Sequence, residues 1–79
     1  MNETAVTFFQ DMIVHHEAAV AMSEEYLSSA GPAELFAPAA KLARDIVKAQ
    51  TAEIGWMKLQ LSAGGKSATR SSGMSNMRM

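Results

Sequence analysis

The chain contains no cysteine. That excludes disulfides, thiolate zinc sites and thiol catalysis together, and it leaves the compartment open. No apolar run approaches the roughly 20 residues needed to cross a bilayer, so no membrane insertion is expected. Charge of one sign is also scarce. Seven basic residues face eight acidic ones, for a formal net charge of -1, and nothing electrostatic recommends nucleic acid or an anionic membrane. The start, Met1-Asn2-Glu3-Thr4, has no basic segment followed by an apolar one, so it does not read as a signal peptide. If the natural protein is exported, this sequence corresponds to its mature part with a start Met added.

What is present is ordinary globular composition, with one exception. Hydrophobic residues make up 48% and charged residues 19% of 79 positions, which argues for one small folded domain rather than disorder. The exception is seven methionines, three of them within the last six residues. Methionine fills irregular core gaps, but a polar tail has no core to fill.

Two helices are expected. The first begins near Asn2 to Thr4, where Asn2 or Thr4 can cap free amides and Glu3 lies at the positive end of the dipole. Phe8, Met12, Ala19 and Tyr26 follow one helical series, and Phe9, Ile13, Val20 and Leu27 follow another. This helix should stop near Ser28 to Ala30, ahead of Gly31 and Pro32. Residues 32–36 suit a short helical turn, or the start of a kinked helix. The second helix is expected from Pro38 to Leu61, with Ala39, Leu42, Ala43, Ile46, Val47, Ile54, Met57 and Leu61 on its apolar stripe. A Ser/Gly-rich segment then leads to Met74-Ser75-Asn76-Met77-Arg78-Met79. The expected organisation is a helical hairpin domain over 1–62 and a flexible Gly/Ser/Met-rich tail over 63–79.

The fold class is therefore all-α, an antiparallel hairpin. Both apolar stripes are wider than a single neighbour covers, and a scaffold this small without disulfides needs another staple. Pairing two hairpins into a four-helix bundle meets that need. The expectation is a homodimer, or one repeat of a longer protein.

Polar residues interrupt both stripes. His15 and His16 break the first beside Met12, and Gln50 and Glu53 break the second beside Met57. In an antiparallel hairpin the two groups meet. Thioether sulfur favours Cu(I), and imidazole suits copper and zinc, so the cluster reads as a metal site. Adjacent helical residues point about 100° apart, so the two histidines do not both face one ion, and one of them orients the other ligands. The other reading is a core methionine with a buried Glu–His hydrogen bond that fixes packing. Asp11 and His15 are four apart and can pair. Met74, Met77 and Met79 form an M-x-x-M-x-M pattern able to wrap a soft monovalent ion.

Other chemistries find no support. His16-Glu17 opens a zincin pattern, but Val20 stands where the second histidine belongs. No Glu-x-x-His di-iron motif is present, nor a haemerythrin-like His-x-x-x-Glu, a phosphate loop or a Ser/His/Asp set. The chain is not expected to be an enzyme.

The run Phe9-x-x-Met12-Ile13-x-His15-His16-x-x-Ala19-x-x-Met22, followed by Leu42-Ala43-x-x-Ile46-x-x-x-Gln50-x-x-Glu53-Ile54-x-x-Met57, resembles the bacterial family called domain of unknown function 305. The resemblance covers about residues 5 to 61. It implies a ferritin-like bundle, often exported, and for some members a periplasmic copper-binding role in copper resistance through Met and His. A Met-rich stretch after the second helix is similar to Gly73-Met74-Ser75-Asn76-Met77. Longer members carry two copies of the motif, and here there is one.

The combined expectation is a Cu(I) storage or resistance protein, exported or periplasmic, that exchanges copper with a partner protein. Its candidate ligands are Met12, His15, His16, Met22, Glu53, Met57, Met74, Met77 and Met79, with Asp11 and Gln50 as supporting residues. The alternative is a non-catalytic helical dimerisation module whose buried polar residues only fix packing.

Overall fold

A computed structural model describes residues 1–29, 31 and 35–70. The connection expected at 32–36 lies largely outside the described residues, as does the tail from residue 71. Two helices make up the fold, α1 over Glu3–Ser29 and α2 over Ala37–Ala63. Together they form an all-α helical hairpin, with no strand among the described residues.

Asn2 caps α1. Its Oδ1 accepts a hydrogen bond from the Ala5 amide at 2.8 Å, which satisfies one of the free donors of the first turn. α2 begins one residue before Pro38, from Phe36 in an extended conformation at φ -86° and ψ 118°. The Phe36 amide donates to the Tyr26 hydroxyl at 3.0 Å, which ties the end of α1 to the start of α2.

The seam between the helices holds the core. Ile13, Met57 and the fully buried Leu61 form its centre, and Val6, Phe9, Met12 and Ile54 pack against it. Ala40 and Ala43 bury their small side chains nearer the connection. Ser23 is buried there as well, and its hydroxyl donates to the Ala19 carbonyl at 2.8 Å, so it is not left unsatisfied.

α2 runs two residues past the expected Leu61, and its end has a defined geometry. Gly65 has a positive φ of 71°. The Gly65 amide donates to the Ser62 carbonyl at 2.9 Å, and the Lys66 amide donates to the Leu61 carbonyl at 2.8 Å. This pair of bonds is the Schellman closure, which needs a left-handed residue just past the helix. The glycine pair that looks like the start of a linker is thus a turn that sends the chain back along α1.

Residues 64–70 form a strap beside α1. Buried Gln10 donates through Nε2 to the carbonyls of Ser67, at 2.9 Å, and Thr69, at 3.3 Å. Arg70 reaches the Asp11 carboxylate at 3.2 and 3.5 Å. The sequence marks this segment as flexible on composition; up to Arg70 it has specific partners.

The strap covers one flank of the hairpin, where Glu17 and Lys58 also approach to 3.7 Å. The other flank is open. On it α1 presents Phe8, Met12, His15, Ala19, Met22 and Tyr26, and α2 presents Leu42, Ile46, Ala49, Glu53, Trp56 and Gln60. Both series alternate steps of four and three, the spacing of a helix-packing stripe. Phe8, Met22, Leu42 and Trp56 are all more than half exposed. Phe9 links the two helices at one end of this face, its ring tilted against Phe8 and edge-on to Trp56 at a centroid distance of 5.7 Å. Met22, Tyr26, Leu42 and Ile46 line a shallow apolar groove at the other end.

Two glycine substitutions should separate turn from helix. Gly65→Ala forces a β-carbon into the left-handed region and should lower unfolding stability by about 1 kcal/mol. Gly55 lies inside α2, and a β-carbon there meets nothing within 4 Å. Gly55→Ala should therefore raise stability by about 0.5–1 kcal/mol. Denaturant midpoints of the two variants check both signs.

Candidate metal-binding patch

The seam decides which histidine faces inward. Its centre runs along Ile13 and Val20, and His16 lies next to that line while His15 is turned a further 100° away. The His16 side chain is 16% exposed, and its Nε2 lies 2.6 Å from Glu53 Oε1. His15 stands exposed on the open flank.

A carboxylate only accepts, so the imidazole Nε2–H is the donor to Glu53. In the neutral ring this leaves Nδ1 with the free lone pair. It is the arrangement by which carboxylates orient metal-binding histidines. Glu53 itself is 60% exposed, so it can turn toward an ion without leaving a buried charge. Gln50 is half-buried one turn before Glu53.

The thioethers divide. Met12 is half-buried, within one turn of both histidines, and packs against the core. Met57 is only 4% exposed and belongs to the seam. Met22 is 66% exposed on the open flank, two turns beyond His15. Met74, Met77 and Met79 lie outside the described residues. The structure thus joins His16 to Glu53, packs Met12 against the core that holds Met57, and leaves His15 and Met22 exposed.

Among the described residues no three His, Asp or Glu side chains gather as a metal-binding group. Asp11, four residues before His15, pairs with Arg70 at 3.2 Å. Gln10 and Arg70 carry no period or motif that singles them out. The one available signal is an amide placed one turn before Ile13 in an apolar run. Away from the patch, the hydrogen bond and charge of Lys41 hold the Asp45 carboxyl below its ordinary value. No helix among the described residues is long and apolar enough to cross a membrane.

The profile of a domain of unknown function, DUF305, matches residues 5–79. The chain belongs to this family. No curated protein and no solved structure gives a significant match. For this DUF305 chain the patch geometry therefore stands on its own residues.

Because Glu53 is largely exposed, its bond to His16 should add little stability. A double-mutant cycle of His16→Ala and Glu53→Ala should give a coupling of about 0.2–1 kcal/mol. Urea unfolding of the four proteins measures it. A coupling of several kcal/mol would show that the pair is a buried structural element instead.

Proposed function

We propose that this chain binds copper as Cu(I) through methionine and histidine side chains, as a storage or resistance protein without turnover. The observation that carries the reading is the oriented histidine. Glu53 fixes His16 with Nδ1 free, Met12 stands one turn before it, and exposed His15 lies beside it. Thioether and imidazole together suit a soft monovalent ion better than Zn²⁺ or Mg²⁺. The reading also accounts for Met22, which is exposed and contributes nothing to the core. It extends to an exported, periplasmic setting and to a partner protein that receives the ion.

The same open flank supports pairing of two hairpins into a ferritin-like four-helix bundle. Its two stripes alternate in steps of four and three, and they expose Phe8, Met22, Leu42 and Trp56, more contiguous apolar surface than scattered residues would give. A second reading rests on this observation alone: a non-catalytic dimerisation module in which His16 and Glu53 fix register.

Calorimetric titration with Cu(I) under reducing conditions tests the first reading. The natural chain should take up the ion, and the His15→Ala/His16→Ala variant should bind at least about tenfold more weakly. Equal, negligible heats from both proteins would defeat it. Sedimentation tests the pairing: the expected species has twice the 8.5 kDa chain mass, and a folded monomer at high concentration would refute it.

A further inference from the structure

The two helices carry opposite charge. α1 holds five carboxylates, Glu3, Asp11, Glu17, Glu24 and Glu25, and no lysine or arginine. α2 holds four cations, Lys41, Arg44, Lys48 and Lys58, against Asp45 and Glu53. Two hairpins that cover each other's open flanks can stack like helix on like, or α1 of one copy on α2 of the other. Both stackings keep neighbouring helices antiparallel, so the helix dipoles do not choose between them. Net charge does. It repels α1 from a second α1 and draws it to a second α2.

The favoured stacking fixes a symmetry. Its two-fold axis runs along the helices, and rotation about that axis moves no residue along it. Each residue of one hairpin therefore meets its counterpart in the partner at the same level. Around α1, His16 lies about 40° from Met12, on the open stripe, and about 60° from Ile13, on the seam. Around α2, Glu53 lies about 40° from Met57, on the seam, and about 60° from Trp56, on the open stripe. Both stand between seam and open flank, the direction that becomes the axis of a four-helix bundle. They are joined at 2.6 Å, so they reach this axis at one level, and the partner brings a second pair to that level. Half-buried Met12 stands one turn away, about 6 Å along α1.

One hairpin alone supplies a single inward imidazole and a single neighbouring thioether, because His15 is exposed at the outer edge of the flank. Two donors do not enclose an ion. Bundle cores hold metals with side chains drawn from facing helices. We propose that the copper site is completed only when two copies pair: His16 and Met12 of one chain and their counterparts in the partner close around one Cu(I) ion at the two-fold axis, with the Glu53 carboxylates orienting the imidazoles. This rests on the copper reading and on the pairing above. It makes ion and second copy mutually dependent, each tightening the binding of the other. It also divides the histidines, with His16 a ligand and His15 not.

Sedimentation of the full chain with and without Cu(I), under reducing conditions and with copper measured in each species, tests the proposal. In the background Met74→Leu/Met77→Leu/Met79→Leu the count reports the helices alone. One ion should travel with two chains, and saturating Cu(I) should tighten pairing at least about tenfold. His16→Ala and Met12→Leu should each weaken uptake at least about tenfold, and His15→Ala should leave affinity and count unchanged. Leu42→Glu adds a charge to the open stripe at an exposed position eleven residues from Glu53, so it should lose pairing and copper together. Circular dichroism checks that the helices of each variant are intact. One ion per chain would overturn the shared site and leave the copper reading standing. So would single chains of Leu42→Glu that hold copper at the natural affinity. Pairing without any uptake would overturn the copper reading, and this inference with it.

Discussion

The packing of Ile13 against Met57 and Leu61 is the contact on which the rest of the hairpin depends. Two helices share a single seam, and each has a circumference that one neighbour cannot cover. Once the seam is centred on Ile13 and Leu61, every other position is assigned by its angle from that line. His16 falls at the edge, where it can reach Glu53. His15, one residue earlier and turned about 100° further from the seam, falls outside. Met12 lies between them in angle and packs against the core that holds Met57. The chemistry of the patch follows from where the hydrophobic seam runs.

The two flanks are then finished differently. One receives the strap, which lines an open polar pocket together with Val6 and Thr7 and satisfies Gln10 through main-chain carbonyls. A buried amide without those carbonyls would be a standing cost to the fold. The other flank keeps its apolar side chains in solvent. Phe8, Met22, Leu42 and Trp56 stand along it, each more than half exposed. The asymmetry of covered and open flanks gives the molecule a face with a defined direction.

Much of this was legible in the sequence. The 3.6-residue period, the Asn2 cap and the Gly31-Pro32 interruption specify both helices, because each is a local signal. The width of the stripes announces that a second face exists. Two things were not legible. Which histidine faces inward depends on the centre of the seam, and a helical wheel fixes only the angle between the two. The strap was hidden for a different reason. Gly64-Gly65 in a Ser-rich context has the composition of a linker, yet the same residues meet the left-handed requirement of a Schellman turn. The bonds of Gln10 go to carbonyls nearly sixty positions away. Carbonyls belong to every residue, so no side-chain pattern announces them. Met57 shows the reverse hazard: a soft donor at helical spacing that the seam has absorbed into the core.

Trp56 carries a practical consequence. It is the single tryptophan of the chain, it stands on the open flank, and its ring meets Phe9 edge-on with more than half its surface in solvent. Its emission is therefore an optical gauge built into the face. Whatever comes to lie there will remove water from the indole and move its colour toward the blue. The occupancy of this surface can be followed in the unlabelled protein.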